Sequence, residues 1–133
     1  MEERFDQFGI KKQSPGIVIA APDGSKIRSI FPGRVVYSGY LKGYGNTIII
    51  DHGYDYYTIT SRIERILLKK GDIVHRNATI GIMGSTATIL DKGLYFEIRF
   101  KDTSLDPLKW LNTDNLQIEK KQPGQALQHQ QEN

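Results

Sequence analysis

The chain contains no cysteine. That excludes disulfide frameworks and cysteine-ligated zinc but leaves the redox compartment open, since a cysteine-free protein tolerates any of them. No apolar run approaches the ~20 residues that a membrane-spanning helix needs. No basic run is interleaved with aromatics, and a net charge of +3 is too weak to argue for nucleic acid; it suits an anionic surface or an acidic partner. Sustained helical periodicity is missing throughout. The opening, Met1-Glu2-Glu3-Arg4-Phe5-Asp6, lacks the apolar core of a secretion signal. The sequence is therefore read either as cytoplasmic or as a piece of a longer secreted chain.

Glycine is plentiful. Thirteen glycines in 133 residues imply many tight turns and hence many short strands. The apolar share of 38% and charged share of 25% are those of one globular domain with its own core. Residues 1–15 are polar and read as a lead-in segment. Strands are predicted over 17–21, 26–30, 34–38, 46–51 and 56–60, separated by Pro22-Asp23-Gly24, Pro32-Gly33, a loop around Tyr44 and the turn His52-Gly53-Tyr54-Asp55. Thr47-Ile48-Ile49-Ile50 is strongly β-branched. Ile63, Ile66 and Leu67 have helix-like spacing, which predicts one short helical turn within 62–68. Brief strands at 73–74 and 79–83 and a loop over 85–92 follow. Leu105 to Leu111 is expected to close the core with the single tryptophan, Trp110. The domain is placed at 16–118, and the Gln-rich segment 119–133 is predicted to be a disordered tail. Short strands every ten residues or so predict an all-β antiparallel sandwich or barrel.

The most informative stretch is Gly93-Leu94-Tyr95-Phe96-Glu97-Ile98-Arg99. Its alternation puts Leu94, Phe96 and Ile98 on one face and Tyr95, Glu97 and Arg99 on the other. The second face lines up a phenol, a carboxylate and a guanidinium. Those residue types suit a site, and equally a solvated strand face.

Several stretches occur in a fixed order: Ala20-Ala21-Pro22-Asp23-Gly24, Pro32-Gly33-Arg34-Val35-Val36-Tyr37-Ser38-Gly39, Gly43-Tyr44-Gly45-Asn46, Ile50-Asp51-His52-Gly53, Lys70-Gly71-Asp72, Gly84-Ser85-Thr86, Tyr95-Phe96-Glu97-Ile98-Arg99 and Asp106-Pro107-Leu108-Lys109-Trp110-Leu111. Together they resemble a LytM-type (lysostaphin-type) peptidase domain over roughly residues 8–111. The resemblance implies an antiparallel sandwich of the duplicated hybrid motif kind with an open groove across one sheet. Active members bind one zinc there and cut peptidoglycan cross-links. Their ligands lie in a His-x-Gly-x-Asp run and a His-x-His run, and a further His in the middle hairpin assists catalysis.

In this chain Ser14 and Val18 stand at the first pair of ligand positions, Gly93 and Tyr95 at the second, and Arg62 at the hairpin position. Zinc needs about four N, O or S donors, and valine and glycine side chains offer none. The remaining histidines do not rebuild the set. His52 is expected to cap the turn after Asp51, His75 sits on a basic exposed segment, and His129 lies in the tail. No metal, cofactor or catalytic residue is therefore expected.

The likeness is greatest to the degenerate branch of the family, the murein hydrolase activators. It implies a periplasmic, non-catalytic regulator whose empty groove binds an N-acetylmuramoyl-L-alanine amidase and relieves its autoinhibition during septal wall splitting. Further implied partners are peptidoglycan and, through an upstream region, a division transporter complex. Carried over by position, the partner-binding residues are Pro15, Val18, Tyr44, Thr47, Tyr95 and Arg99, with Arg62 on the edge. Aromatic and arginine side chains around an apolar centre are what protein interfaces favour. The alternatives are a zinc endopeptidase, a passive peptidoglycan-binding domain and, from Asp91-Lys92-Gly93 before a strand, a biotinyl- or lipoyl-like carrier.

Overall fold

The computed structural model describes residues 10–13, 15–20, 22–84 and 93–109. Its elements are β1 (Ile10–Gln13), β2 (Gly16–Ile19), β3 (Lys26–Arg28), β4 (Gly33–Leu41), β5 (Gly45–Gly53), β6 (Tyr56–Ser61), β7 (Arg65–Ile66), β8 (Ile73–Val74), β9 (Thr79–Ile82), β10 (Leu94–Phe100) and β11 (Thr103–Leu105), then a 3-10 turn at Pro107–Lys109. The larger sheet runs β1-β2-β10-β6-β5-β4-β8, with β11 also on β10, and the smaller runs β3-β9-β7. Every described pairing is antiparallel.

The core lies between these sheets. Ile17 and Ile19 from β2, Ile48 and Ile50 from β5, and Leu94, Phe96 and Ile98 from β10 meet Ile27, Ile63, Val74, Ile80 and Met83 in one buried cluster. Alternation along β10 thus sends its apolar set to the core and turns Tyr95, Glu97 and Arg99 to the opposite face. β11 takes the same edge of β10 as β2, beyond the point where β2 ends.

The β5–β6 hairpin closes with Tyr54 and Asp55, both left-handed at φ 55° and 70°. That is the primed turn geometry that matches strand twist, built here without its usual Asn-Gly pair.

Two local expectations are corrected. The segment 62–68 holds no helical turn. Arg65 and Ile66 form β7, paired to Ile82 and Gly81 of β9. The helix-like spacing has another cause: Ile63 is buried while Leu67 is exposed, as the chain crosses the edge of the core. Within the polar lead-in, Ile10–Gln13 is a strand, because β2 offers it an edge to pair with; strand formation here follows context rather than propensity. The expected features at Ser14, in the 85–92 loop, at Trp110 and in the Gln-rich tail fall outside the described residues.

Candidate functional site

Ladder register sets the site. Thr47 of β5 faces Ser61 of β6, Ser61 faces Tyr95 of β10, and Tyr95 faces Val18 of β2. These four form a row across the face turned away from the core. The next residues of β10 on that face are Glu97 and Arg99.

Glycine permits the row to close. A Cβ on Gly16 would stand 2.5 Å from the Phe96 carbonyl oxygen and 2.8 Å from both Glu97 Cγ and Tyr95 Cζ. β2 can therefore lie under those side chains only without one. Gly93 has φ 117°, and a Cβ there would meet Val18 Cγ1 and the Ile19 carbonyl oxygen at 2.8 Å each.

Glu97 is the hub and is fully buried, at 0% exposure. Its Oε2 accepts from the Tyr95 hydroxyl at 2.7 Å and the Tyr44 hydroxyl at 3.2 Å. Its Oε1 accepts from Arg99 Nε at 2.9 Å. The carboxylate thereby ties β10 to the turn between β4 and β5 that carries Tyr44. The two phenol rings meet edge-to-face with centroids 5.8 Å apart. Arg62 follows β6 in a left-handed conformation, φ 67°, and sets its guanidinium carbon 5.4 Å from the centre of the Tyr95 ring. Thr47 donates to the Gly45 carbonyl at 2.9 Å, so at their own 2.9 Å contact Ser61 is the donor to Thr47.

The electrostatics follow from this packing. Burial, then the bond to Glu97 and its charge, push the Tyr95 phenol well above the ordinary tyrosine value. Burial, then the Glu97 charge and hydrogen bond, raise Tyr44, against an opposing pull from Arg99. The hydrogen bond to Glu97 raises Arg99 further, against desolvation. Near neutral pH both phenols are protonated donors.

The structure brings Val18, Tyr44, Thr47, Arg62, Tyr95 and Arg99 onto one face, and Pro15 stands exposed in the β1–β2 turn beside it. Val18 and Thr47 have no exposed surface. They form the floor, while Tyr44, Arg62 and the half-exposed Arg99 stand at the surface. Sequence reasoning put Glu97 on the site-like face of β10 without a partner-binding role, and it did not include Ser61. For Glu97 the signal was present, since it alternates in phase with Tyr95 and Arg99. Ser61 becomes visible only once the β6 register is known.

The donors do not fit zinc. Of the positions that carry ligands in active members, Val18 and Gly93 have no donor atom. Tyr95 is a protonated phenol committed to Glu97, and Arg62 brings a positive charge. Among the described residues no group of three or more His, Cys, Asp or Glu is placed to hold a metal.

His52 does not cap the turn. The Gly53 N–H is taken by Asp51 Oδ1 at 2.8 Å. The His52 ring is half-buried on the other side of the sheet, with Nδ1 donating to the Pro32 carbonyl and Nε2 accepting from the Thr58 hydroxyl, both at 2.8 Å. It lines a cleft of about 260 Å³ with Phe31, Pro32, Tyr54, Tyr56 and Ile98. These walls are apolar and offer no constellation for bond-making chemistry.

The sequence pattern of peptidase family M23 matches residues 12–107. The chain belongs to that family. Within M23, it is 42% identical over 109 residues to the murein hydrolase activator NlpD of Escherichia coli, covering 80% of this chain and 28% of NlpD. It is 31% identical over 96 residues to the murein hydrolase activator EnvC of the same organism, covering 72% of this chain and 23% of EnvC. Among solved structures, the M23 fold superposes on the antimicrobial peptidase lysostaphin of Staphylococcus simulans with a TM-score of 0.66 at 24% identity, over 72% of this chain and 42% of lysostaphin. The chain spans less than a third of the length of either activator.

Proposed function

We propose that this chain is a non-catalytic regulator that docks an N-acetylmuramoyl-L-alanine amidase on the face built around Glu97 and activates it for splitting of septal peptidoglycan. The observation that carries this is the fate of the zinc face. Ligand positions are filled by Val18, Gly93 and Tyr95 and the catalysis-assisting histidine position by Arg62, and Tyr95, Arg62 and Arg99 are organised around the buried Glu97 carboxylate. A site that had merely decayed has no reason to keep three donors on one buried acceptor. The names of NlpD and EnvC support the same reading, and it places the protein in the periplasm, where murein lies. Tyr44, Arg62, Arg99 and Pro15 meet the partner, while Tyr95, only 6% exposed, belongs with Val18 and Thr47 in the floor beneath them rather than at the contact surface expected for it from sequence. Arg and Tyr anchors of this kind carry much of the binding energy in protein interfaces.

The test is dye release from labelled peptidoglycan by the amidase of the same organism, with and without the purified chain. Activation is expected, and Arg99→Ala is expected to weaken it at least severalfold with the melting curve retained. Cross-link cutting by the chain alone, or tightly held stoichiometric zinc in the purified protein, overturns the proposal. Retention on purified sacculi without any effect on the amidase points instead to a passive peptidoglycan-binding domain.

A further inference from the structure

The face carries two guanidinium groups in different electrostatic states. Arg99 is balanced by Glu97, through a 2.9 Å ion pair to a fully buried carboxylate. Arg62 has no carboxylate within salt-bridge reach among the described residues; its recorded contact is with the Tyr95 ring. Among the described residues, the buried carboxylate of Glu97 is matched by Arg99, and none is an ion-pair partner of Arg62.

The backbone at this residue is unusual for its type. Arg62 adopts φ 67°, a conformation that favours Gly, Asn and Asp. Non-glycine residues held there are strained, and such strain clusters at functional positions. The Arg62 backbone lies against Gly45, whose Cβ position is 3.9 Å from Arg62 Cα, and the guanidinium carbon sits 5.4 Å from the centre of the Tyr95 ring. A guanidinium donates in its own plane. It carries five N–H donors in a fixed fork, and a carboxylate matches that fork with two parallel bonds.

We infer that Arg62 is the specificity-determining cation of the docking face and takes a carboxylate side chain of the docking protein. This rests on the amidase-docking reading and adds to it the chemistry of the partner: an acidic side chain placed to meet Arg62. The pair gains strength on docking because the partner covers both groups and removes water.

The experiment measures affinity of the chain for the amidase of its own organism by titration calorimetry at two salt concentrations. Arg62→Asn and Arg62→Lys are compared with the unsubstituted chain. Asparagine tolerates the left-handed backbone, so a loss of binding is not a loss of fold, and thermal melting verifies this. Arg62→Asn is expected to weaken binding tenfold or more and to flatten its salt dependence. Arg62→Lys keeps the charge without the fork and is expected to fall between the two. If the unsubstituted chain binds and Arg62→Asn binds equally well with the same salt dependence, the Arg62 assignment is overturned while the docking reading stands. If the unsubstituted chain binds no amidase, the docking reading falls and takes this inference with it.

Discussion

Replacing Glu97 by Gln tests whether a buried carboxylate holds the Tyr44–Tyr95–Arg99 face together. The substitution keeps shape and volume, so no cavity opens. One oxygen of Glu97 takes both phenols and the other takes Arg99. A glutamine amide has one acceptor. If its oxygen faces Tyr95 and Tyr44, its NH2 faces the Arg99 Nε–H, donor against donor. The Arg99 pair is worth at most about 1 kcal/mol, because that side chain is 36% exposed and water screens it. The two phenol bonds fall from charge-assisted to neutral, costing about 1 kcal/mol in total, and the buried NH2 without an acceptor costs ~1–3 kcal/mol. The sum is about 3 kcal/mol, or roughly 10–20 °C in melting temperature for a domain of this size. Urea titration followed by far-UV circular dichroism gives the free energy directly. Near-UV dichroism reports whether Tyr44 and Tyr95 lose their fixed packing. A loss below about 1 kcal/mol, with the near-UV signal unchanged, refutes the account of Glu97 as the hub.

Two further outcomes follow from other parts of the fold. Burial lowers the His52 pKa below the ordinary value of 6.5, against raising contributions from the Pro32 carbonyl and Asp51. Stability from this residue is therefore fully present above that value and is lost as the pH falls from it through the lower folded value; His52→Gln is expected to flatten this part of a urea-midpoint profile between pH 7.5 and 5.5. Changing Tyr54-Asp55 to Asn-Gly supplies residues that accept the left-handed turn and is expected to add about 1 kcal/mol by the same titration.

The parts of this structure that could be read in advance are those in which sequence neighbours decide the outcome. Alternation along β10 assigns its two faces without knowledge of any other strand, and the β-branched run 47–50 marks β5 as a buried strand. The segments misread are those decided by distant residues. Nothing in Ile10-Lys11-Lys12-Gln13 favours a strand until the open edge of β2 is there to pair with it. Arg65 and Ile66 become a strand because β9, at a distance in sequence, lies beside them. His52 was assigned to the turn by adjacency, yet its partners, Pro32 and Thr58, come from either side in sequence. Val18, Tyr44, Thr47, Arg62, Tyr95 and Arg99 lie on one face, with Pro15 in the turn beside it. Which of them lie beneath it and which reach its surface depends on the packing of β2 against β10, and that packing turns on Gly16 and Gly93.

The fit between Gly93 and Val18 has an evolutionary consequence. A histidine restored at position 93 would have to adopt φ 117° and find room where Val18 Cγ1 and the Ile19 carbonyl already are. Aspartate at position 18 alone would bury a carboxylate beside the one already held by Glu97. Each such substitution alone carries a loss of stability and supplies at most one of the roughly four donors that zinc needs. A metal centre on this face would require several positions to change together.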